Sequence, residues 1–564
     1  MTKNNIKFAL ATIAAIVAIY FVSDKLFFRL DLTSEKRFSV SENTKKLMKS
    51  LDKDVNVKIY LEGDLNAGFI RLKKATKEML DEFQAYSNAG FKYEFINPSE
   101  AKDEEERDKK YAELEKRGLR LMLDNEDKDE EGQSITRIVC PWAEITYNGK
   151  TIPVCLVRDV AGQSREENIN TSAENLEYAL TDAIRRLTTK QTEKIAFIEG
   201  HGELPEILTY DISTELANYY EVDRGQLSND PECLKDFKAI IIAGPTQKFS
   251  EQDKFVIDQY IMNGGKVLWL IDGVRIALDS LRTQSQTIGI ANELNLEDQL
   301  FNYGVRINPV LVQDAQCALI PVNTARAGDQ AKWTPKPWYY SPLLLTSPVH
   351  PTTKNLTPIK SEFISSVDFV GREKDMKRDY LLLTSTGSRV QQMPSIVSMN
   401  IVDVEKNGQY FNTGNVPVAV SIEGHFKSNY QHRMIPEGIR MTTMPLGESY
   451  KTRMIVVADA DVICNDVEGS GETTNIVPLG YDKYMKQQFG NKDFIMNCVN
   501  YLTDSEGWME LRTRELQLRL LNKPAIIGQR KFWQATNVIL PLVLLGAFGA
   551  VYNIIRKKKY ANKK

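Results

Sequence analysis

Two long apolar runs, one near each end of the 564-residue chain, constrain its fold more than any other feature. Residues 6–22 (IKFALATIAAIVAIYFV) carry a single charge, Lys7, at their edge, which is close to the minimum for crossing bilayer hydrocarbon as a helix. A cleaved signal peptide has a similar outline. Here no small-residue cleavage site follows, and no cysteine precedes Cys140 to take a lipid. The second run, residues 535–555, is flanked by Phe532, Trp533 and Tyr552, aromatics suited to the membrane interface. Six cations follow it in the tail RKKKYANKK, which places the C-terminus in the cytoplasm by the positive-inside rule. Two spans then put the N-terminus inside as well, and residues 24–531 outside the cytoplasm.

The chain is 42% hydrophobic and 26% charged, a soluble balance that leaves room for few spans. A formal charge of −3 argues against a general nucleic-acid binder. Its six cysteines stand singly without a C-x-x-C pair, so neither a zinc knuckle nor a thioredoxin-type redox pair is signalled.

Between the runs the chain reads as two α/β modules. Ser41 is placed to cap a short helix, VNVKIYLEG alternates as a strand, and residues 69–87 repeat at helical spacing. FKYEFINP is a second strand. Residues 137–158 form a hairpin around Asn148-Gly149, and Leu176 to Leu187 mark another helix. The order is thioredoxin-like in outline. A second unit alternates strands and helices: KIAFIEGHGE, a helix over 206–220, KAIIIAGP, a helix opened by Ser250, then KVLWLIDG. Continuous apolar strands joined by short links predict a doubly wound sheet covered on both faces. Residues 315–445, proline-rich and aromatic, read as a β-rich insertion before TRMIVVADADVICND and the helix DFIMNCVNYLT.

No P-loop occurs, so the chain does not cradle nucleotide phosphates that way, and any ATP-driven work belongs to a partner. Open α/β sheets bind ligands at the C-terminal ends of their strands. Glu199, Gly200, His201, Gly202 and Glu203 end one strand there, Asp272 ends another, and Asp459 and Asp461 a third. Together they form a candidate ligand or partner crevice. His201 with Glu199 or Glu203 has the groups for acid–base work, while the glycines equally serve a tight turn held by His and Glu. No G-x-[SC]-x-G elbow supplies a nucleophile and the four histidines lack metal-ligand spacing, so neither a catalytic residue, a metal nor a cofactor is expected. The aromatic stretch 333–340 suits either packing within the insertion or stacking on sugar or peptide.

Several of these segments together resemble the auxiliary proteins of ABC transporters, and within them the gliding-motility-associated (GldG-type) family. The shared pieces are DLTSEKRFSVSENTKKLMKSL, VNVKIYLEGD, IAFIEGHGE, the AGP of IIIAGPTQKFS, GGKVLWLID, VADADVICND, NKDFIMNCVNYL and FWQATNVILPLVLLGAFG. The resemblance implies a class I glutamine-amidotransferase-like ectodomain, without the catalytic cysteine elbow, and an ABC permease and ATP-binding subunit as partners. It implies a bacterial inner-membrane location and a substrate-binding label, with an envelope glycan or peptide as candidate ligand and no nucleic acid. The expected organisation is an anchor over 1–23, an α/β domain over 24–190 and an amidotransferase-like domain over 191–510. A membrane-proximal segment over 511–533, a transmembrane helix over 534–556 and a basic tail over 557–564 complete it. The expected role is a non-enzymatic accessory subunit. A structural envelope scaffold, or a hydrolase or amidase using His201 and Glu203, is the alternative.

Overall fold

Ser41 accepts a hydrogen bond from the Thr44 amide and so starts α1 (Glu42–Ser50), whose Thr44 and Met48 are buried. In the computed structural model, the residues described are 40–124, 136–158, 160, 163–189, 193–325, 330–371, 376–441, 444–469, 474–513 and 523–560. The apolar run 6–22 lies outside them, as does part of the charged stretch after residue 124.

Along β1 (Val55–Ile59) buried and exposed residues alternate, as a half-covered strand requires. α2 (Ala67–Tyr86) carries the chain to β2 (Phe91–Phe95), which pairs parallel with β1. The charged helix α3 (Glu104–Lys116) buries only Tyr111 and Leu114. The hairpin of β3 (Trp142–Tyr147) and β4 (Lys150–Cys155) turns at Asn148 and Gly149, both at positive φ (50° and 78°). The sheet order is β2-β1-β3-β4, with the last two pairings antiparallel. The run RIVCPWAEITY is two strands rather than one. Pro141 has no N–H for a ladder, so residues 137–139 pair instead with 122–124, and Trp142 begins β3. A capping box of Ser164 and Glu167 opens α4 (Arg165–Thr188), earlier than its apolar stripe suggests.

The second module is built on β5 (Glu193–Glu199), α5 (Tyr210–Ala217), β6 (Tyr220–Gln226), β7 (Phe237–Ala243), α6 (Glu251–Met262) and β8 (Val267–Leu270). It continues through β9 (Cys317–Asn323), β10 (Trp333–Thr346), β11 (Lys377–Leu383), β12 (Pro417–Gly424), β13 (Thr452–Val457) and α7 (Asn491–Thr503). Among the described residues these strands form one sheet in the order β9-β10-β11-β12-β13-β8-β7-β5-β6. The run β13-β8-β7-β5-β6 is parallel throughout. Taken in chain order, its strands lie 2-1-3-4-5, a doubly wound arrangement. Strand β6 was not expected. It is an edge strand that buries only Tyr220, so it carries no apolar run to read. Strands β9 to β12, within the segment read as an insertion, add to the same sheet antiparallel, beginning where β12 pairs with β13.

Every side chain of β8 is buried, as are those of Ala239 to Ala243 in β7, which matches their unbroken apolar sequence. α6 is buried on its outer side too. Asp258 accepts from Ser428 Oγ (2.6 Å), the Asn429 amide (2.9 Å) and the Tyr303 hydroxyl (2.7 Å), so the segment after β12 lies over the helix as a polar cover. Trp338, Tyr339 and Tyr340 are buried in a separate core with Phe363 and Phe411, which favours packing for that aromatic stretch, whereas Trp333 is exposed. All six cysteines are free thiols.

Residues 515–564 are a separate unit. Its helix α8 (Lys523–Tyr560) contains Gly528–Lys558, the one segment among the described residues long and apolar enough to cross a membrane. Exposed leucines, valines and isoleucines run around it on all sides, a distribution suited to lipid rather than water.

A candidate ligand crevice at the switch point of the sheet

Winding reverses between β5 and β7, and such a reversal opens a crevice outside the strand ends. The Glu199–Glu203 loop leaves β5 at this point, and Gly244 leaves β7. The two loops are sewn together: the His201 carbonyl accepts from the amides of Thr246 and Gln247, and the Leu204 amide donates to Ala243. Gly244 has φ +64°, and a Cβ there would stand 3.1 Å from both Ala460 Cβ and Leu204 Cγ. Glycine therefore lets the loop after β5 close against the loop after β13.

On one side of Gly244 lies an ionic knot. His201, 6% exposed, stacks on Phe249 at 3.7 Å. Its Nδ1 is 3.1 Å from Glu203 Oε1 and its Nε2 is 3.2 Å from Asp253 Oδ2. Burial favours the neutral ring, but the hydrogen bonds and charges of Asp253 and Glu203 outweigh it and hold the imidazole pKa up at about 9. At neutral pH it is an imidazolium donating from both nitrogens, with no lone pair left to act as base or ligand. Asp253 is fixed in turn by Ser250, whose hydroxyl donates to it at 2.5 Å and whose Oγ caps α6. The knot thus ties the strand-end loop to the start of a helix. Glu199 does not join it; its carboxylate pairs with Arg224 on β6 at 3.1 Å.

On the other side stand carboxyl groups with few cations. Asp272 accepts from the Ala460 amide (2.7 Å), and burial pushes its pKa up to about 6. Asp459 is fully buried and accepts from the amides of Asp461 (2.8 Å) and Glu362 (3.2 Å). Burial, then the charges of Asp461 and Asp272, raise it well above the carboxylate range. Burial and the neighbouring Asp272 and Glu362 raise Asp461 too. Because Asp461 is a solvent-exposed residue, we ascribe its shift mainly to those neighbours. Glu362 is raised by burial, against the hydrogen bond from the Trp338 indole. Neighbouring like charges and burial raise one another's proton affinity, so the group holds its protons more tightly than free carboxylates do. Asn292 Nδ2 bridges the carbonyls of Pro245 and Asp272, while its buried Oδ1 and the buried Ser365 Oγ lack partners among the described residues. Among those residues no group of three or more His, Cys, Asp or Glu is placed to hold a metal ion.

Three members of these two groups were missed in the sequence. Asp253 is visible there only as a capping residue. Glu362 and Asn292 sit far along the chain in irregular segments, and no local pattern marks them.

A family model described as an ABC-type uncharacterized transport system matches residues 192–498, more than half of the chain and nearly all of the second module. A domain of unknown function (DUF7088) matches residues 34–146. An uncharacterized protein of Borreliella burgdorferi is 21% identical over 563 residues, covering 95% of this chain and 94% of its own length. A solved structure, the mmIFT52 N-terminal domain, aligns with 56% of this chain and 99% of its own at 14% identity, with a TM-score of 0.30. By the match over 192–498, the chain belongs to the ABC-type uncharacterized transport system family of auxiliary proteins.

Proposed function

We propose that the protein is a non-enzymatic accessory subunit of an ABC transport complex, held in the bacterial inner membrane at both ends and presenting its two α/β modules on the periplasmic side. The family match carries this reading, since it covers the module that houses the crevice. Support for the membrane placement comes from the apolar helix Gly528–Lys558 and, in sequence, from the run 6–22. We read the first module as thioredoxin-like in outline, because a parallel βαβ pair is extended by an antiparallel hairpin. The second we read as amidotransferase-like, from its 2-1-3-4-5 parallel core. Gliding motility, and an envelope glycan or peptide as ligand of the crevice, are the finer parts of the proposal. Carboxyls of raised proton affinity, beside an amide oxygen (Asn292) and a hydroxyl (Ser365) without partners among the described residues, suit a polar, hydroxyl-bearing ligand. The double engagement of His201 argues against the hydrolase alternative, because neither ring nitrogen is available to take a proton from water.

Affinity purification of the tagged full-length chain from gently solubilised native membranes tests the proposal. A multi-span permease and an ATP-binding protein are expected in fixed ratio with it. Recovery of the chain alone would sink the idea.

A further inference from the structure

A second cavity lies away from the crevice, between the two α/β modules. It is an open cleft of about 1350 Å³, walled by α4 and the strand β4 on one side and by residues 478–493 and Arg512 on the other. A narrower recess of about 300 Å³ shares Arg158, Tyr178 and Arg512 with it. Six cations line the larger cavity: Arg120, Arg158, Arg186, Lys486, Lys492 and Arg512. They face three carboxylates, Asp182, Glu215 and Asp493, and Lys492 is also paired with Asp211 at 2.7 Å, so the wall carries a surplus of two positive charges in a chain whose formal net charge is −3. Two of those carboxylates are already engaged, Asp182 by Arg185 and Arg186, and Asp493 by Arg158 at 3.1 Å.

Arg512 is the unusual member. It is 4% exposed, and its guanidinium donates to the carbonyls of Pro351 (2.9 Å) and Lys354 (3.1 Å). Among the described residues no carboxylate lies within ion-pairing distance. Burial, and then the facing charge of Arg158, pull its pKa down to about 10 against the opposing charges of Tyr178 and Asp493, so it remains charged while the carboxylate that acts on it, Asp493, is already paired with Arg158. A buried cation facing a second cation is costly unless an anion comes between them. Tyr178 lies under the Arg512 guanidinium at 5.1 Å, and its hydroxyl donates to the thioether of Met509 (3.5 Å). A thioether is a weak acceptor, so this O–H is free to turn to a better one.

We propose that the cleft between the two modules binds a small organic anion, with its phosphoryl or carboxylate group held by Arg158 and Arg512 and accepting a hydrogen bond from Tyr178. Because residues of both modules line the cleft, such a ligand bridges them and stabilises one arrangement of the pair. This site is separate from the strand-end crevice and does not depend on membership of a transport complex. Loss of anion binding would leave co-purification of permease and ATPase untouched.

Calorimetric titration of the detergent-solubilised full chain with inorganic phosphate and with citrate, at matched chloride, tests the site. Saturable binding of either probe is expected. Phosphate alone assigns a phosphoryl group and citrate alone a carboxylate. Arg512→Met removes the buried donor but risks the fold, so Arg158→Gln, at the cleft wall, is the main variant. It should weaken binding about tenfold or more, and Tyr178→Phe about threefold or more. The proposal is overturned if neither probe binds, or if wild type and Arg158→Gln bind equally.

Discussion

His201 and Asp459 stand on either side of Gly244, both buried, both at the ends of parallel strands, yet their surroundings are opposite. Around His201 one cation meets two carboxylates, and both ring nitrogens have partners. Around Asp459 four carboxyl groups crowd together with little beyond backbone amides to receive. In the first set every charged group has an ionic partner, and the set serves to hold the loop. In the second, the carboxyls hold protons more tightly than free ones do, which leaves it responsive to what approaches. A histidine flanked by glycines and glutamates is thus the more conspicuous feature in sequence but the less available one in space.

The comparison breaks most visibly at His201. Its replacement by alanine leaves Glu203 and Asp253 facing each other without the imidazolium, and Glu203 is almost wholly buried. We expect a loss of about 3–5 kcal/mol, as for removing one partner of a buried ion pair. Urea unfolding of the full chain in detergent, followed by tryptophan fluorescence, would measure it; an unchanged midpoint would mean the knot holds nothing. The pH dependence separates the two sets. The folded pKa of His201, about 9, exceeds its ordinary 6.5, so its contribution is complete below pH 6.5 and is lost as pH rises through 9. Asp272 also binds its proton more tightly when folded, at about 6 against 3.8, so stability falls as pH rises between those values. His201→Ala should abolish the upper window and leave the lower, whereas Asp272→Asn should leave the upper and diminish the lower, to which Asp459, Asp461 and Glu362 also contribute.

Replacing Asp253 by asparagine keeps the shape and removes one of the two charges on His201. A loss of about 1.5–3 kcal/mol is expected, the range for a hydrogen bond to a charged group. The same variant should lower the His201 pKa, read as a shift of the imidazole proton resonance in a pH titration. No movement of that resonance would show the ring held by Glu203 alone. Gly244→Ala tests the seam between the two sets. Its positive φ and the 3.1 Å approaches to Ala460 and Leu204 predict a cost of about 1–2 kcal/mol in the same unfolding experiment. A neutral result would mean that the two loops can move apart.

How much of this was legible depended on distance along the chain. The buried strands β7 and β8 announced themselves as apolar runs, and the hairpin at Asn148-Gly149 by the two residues that tolerate positive φ. The contact of His201 with Glu203, two residues away, was within reach of a sequence reading. The bond of His201 to Asp253 was not, because 52 residues, two strands and a helix separate them and Asp253 has a sufficient local role as a capping residue. Glu362 escaped for the same reason: it reaches Asp459 only through the antiparallel strands that follow β8, whose pairing depends on the assembled sheet. Strand ends point to a crevice, but which carboxyls meet there is set by topology.

The sharpest form of the comparison is the same chemical change made on the other side of Gly244. Asp461→Asn, like Asp253→Asn, exchanges a carboxylate for an amide of equal size. At Asp253 the exchange removes attraction. At Asp461 it removes repulsion, since among the charges it meets Asp272, Glu362 and Asp466 outweigh Lys360. The exposure of Asp461 limits the gain, because solvent already screens part of that repulsion. We therefore expect a stabilisation of at most about 1 kcal/mol at pH 7, shrinking as pH falls and the remaining carboxyls take up protons. The two variants should differ in sign, and this difference is more telling than either magnitude. If Asp461→Asn destabilises the protein as Asp253→Asn does, the carboxyl group on that side is held by contacts that compensate its charge, and the two halves of the crevice are alike after all.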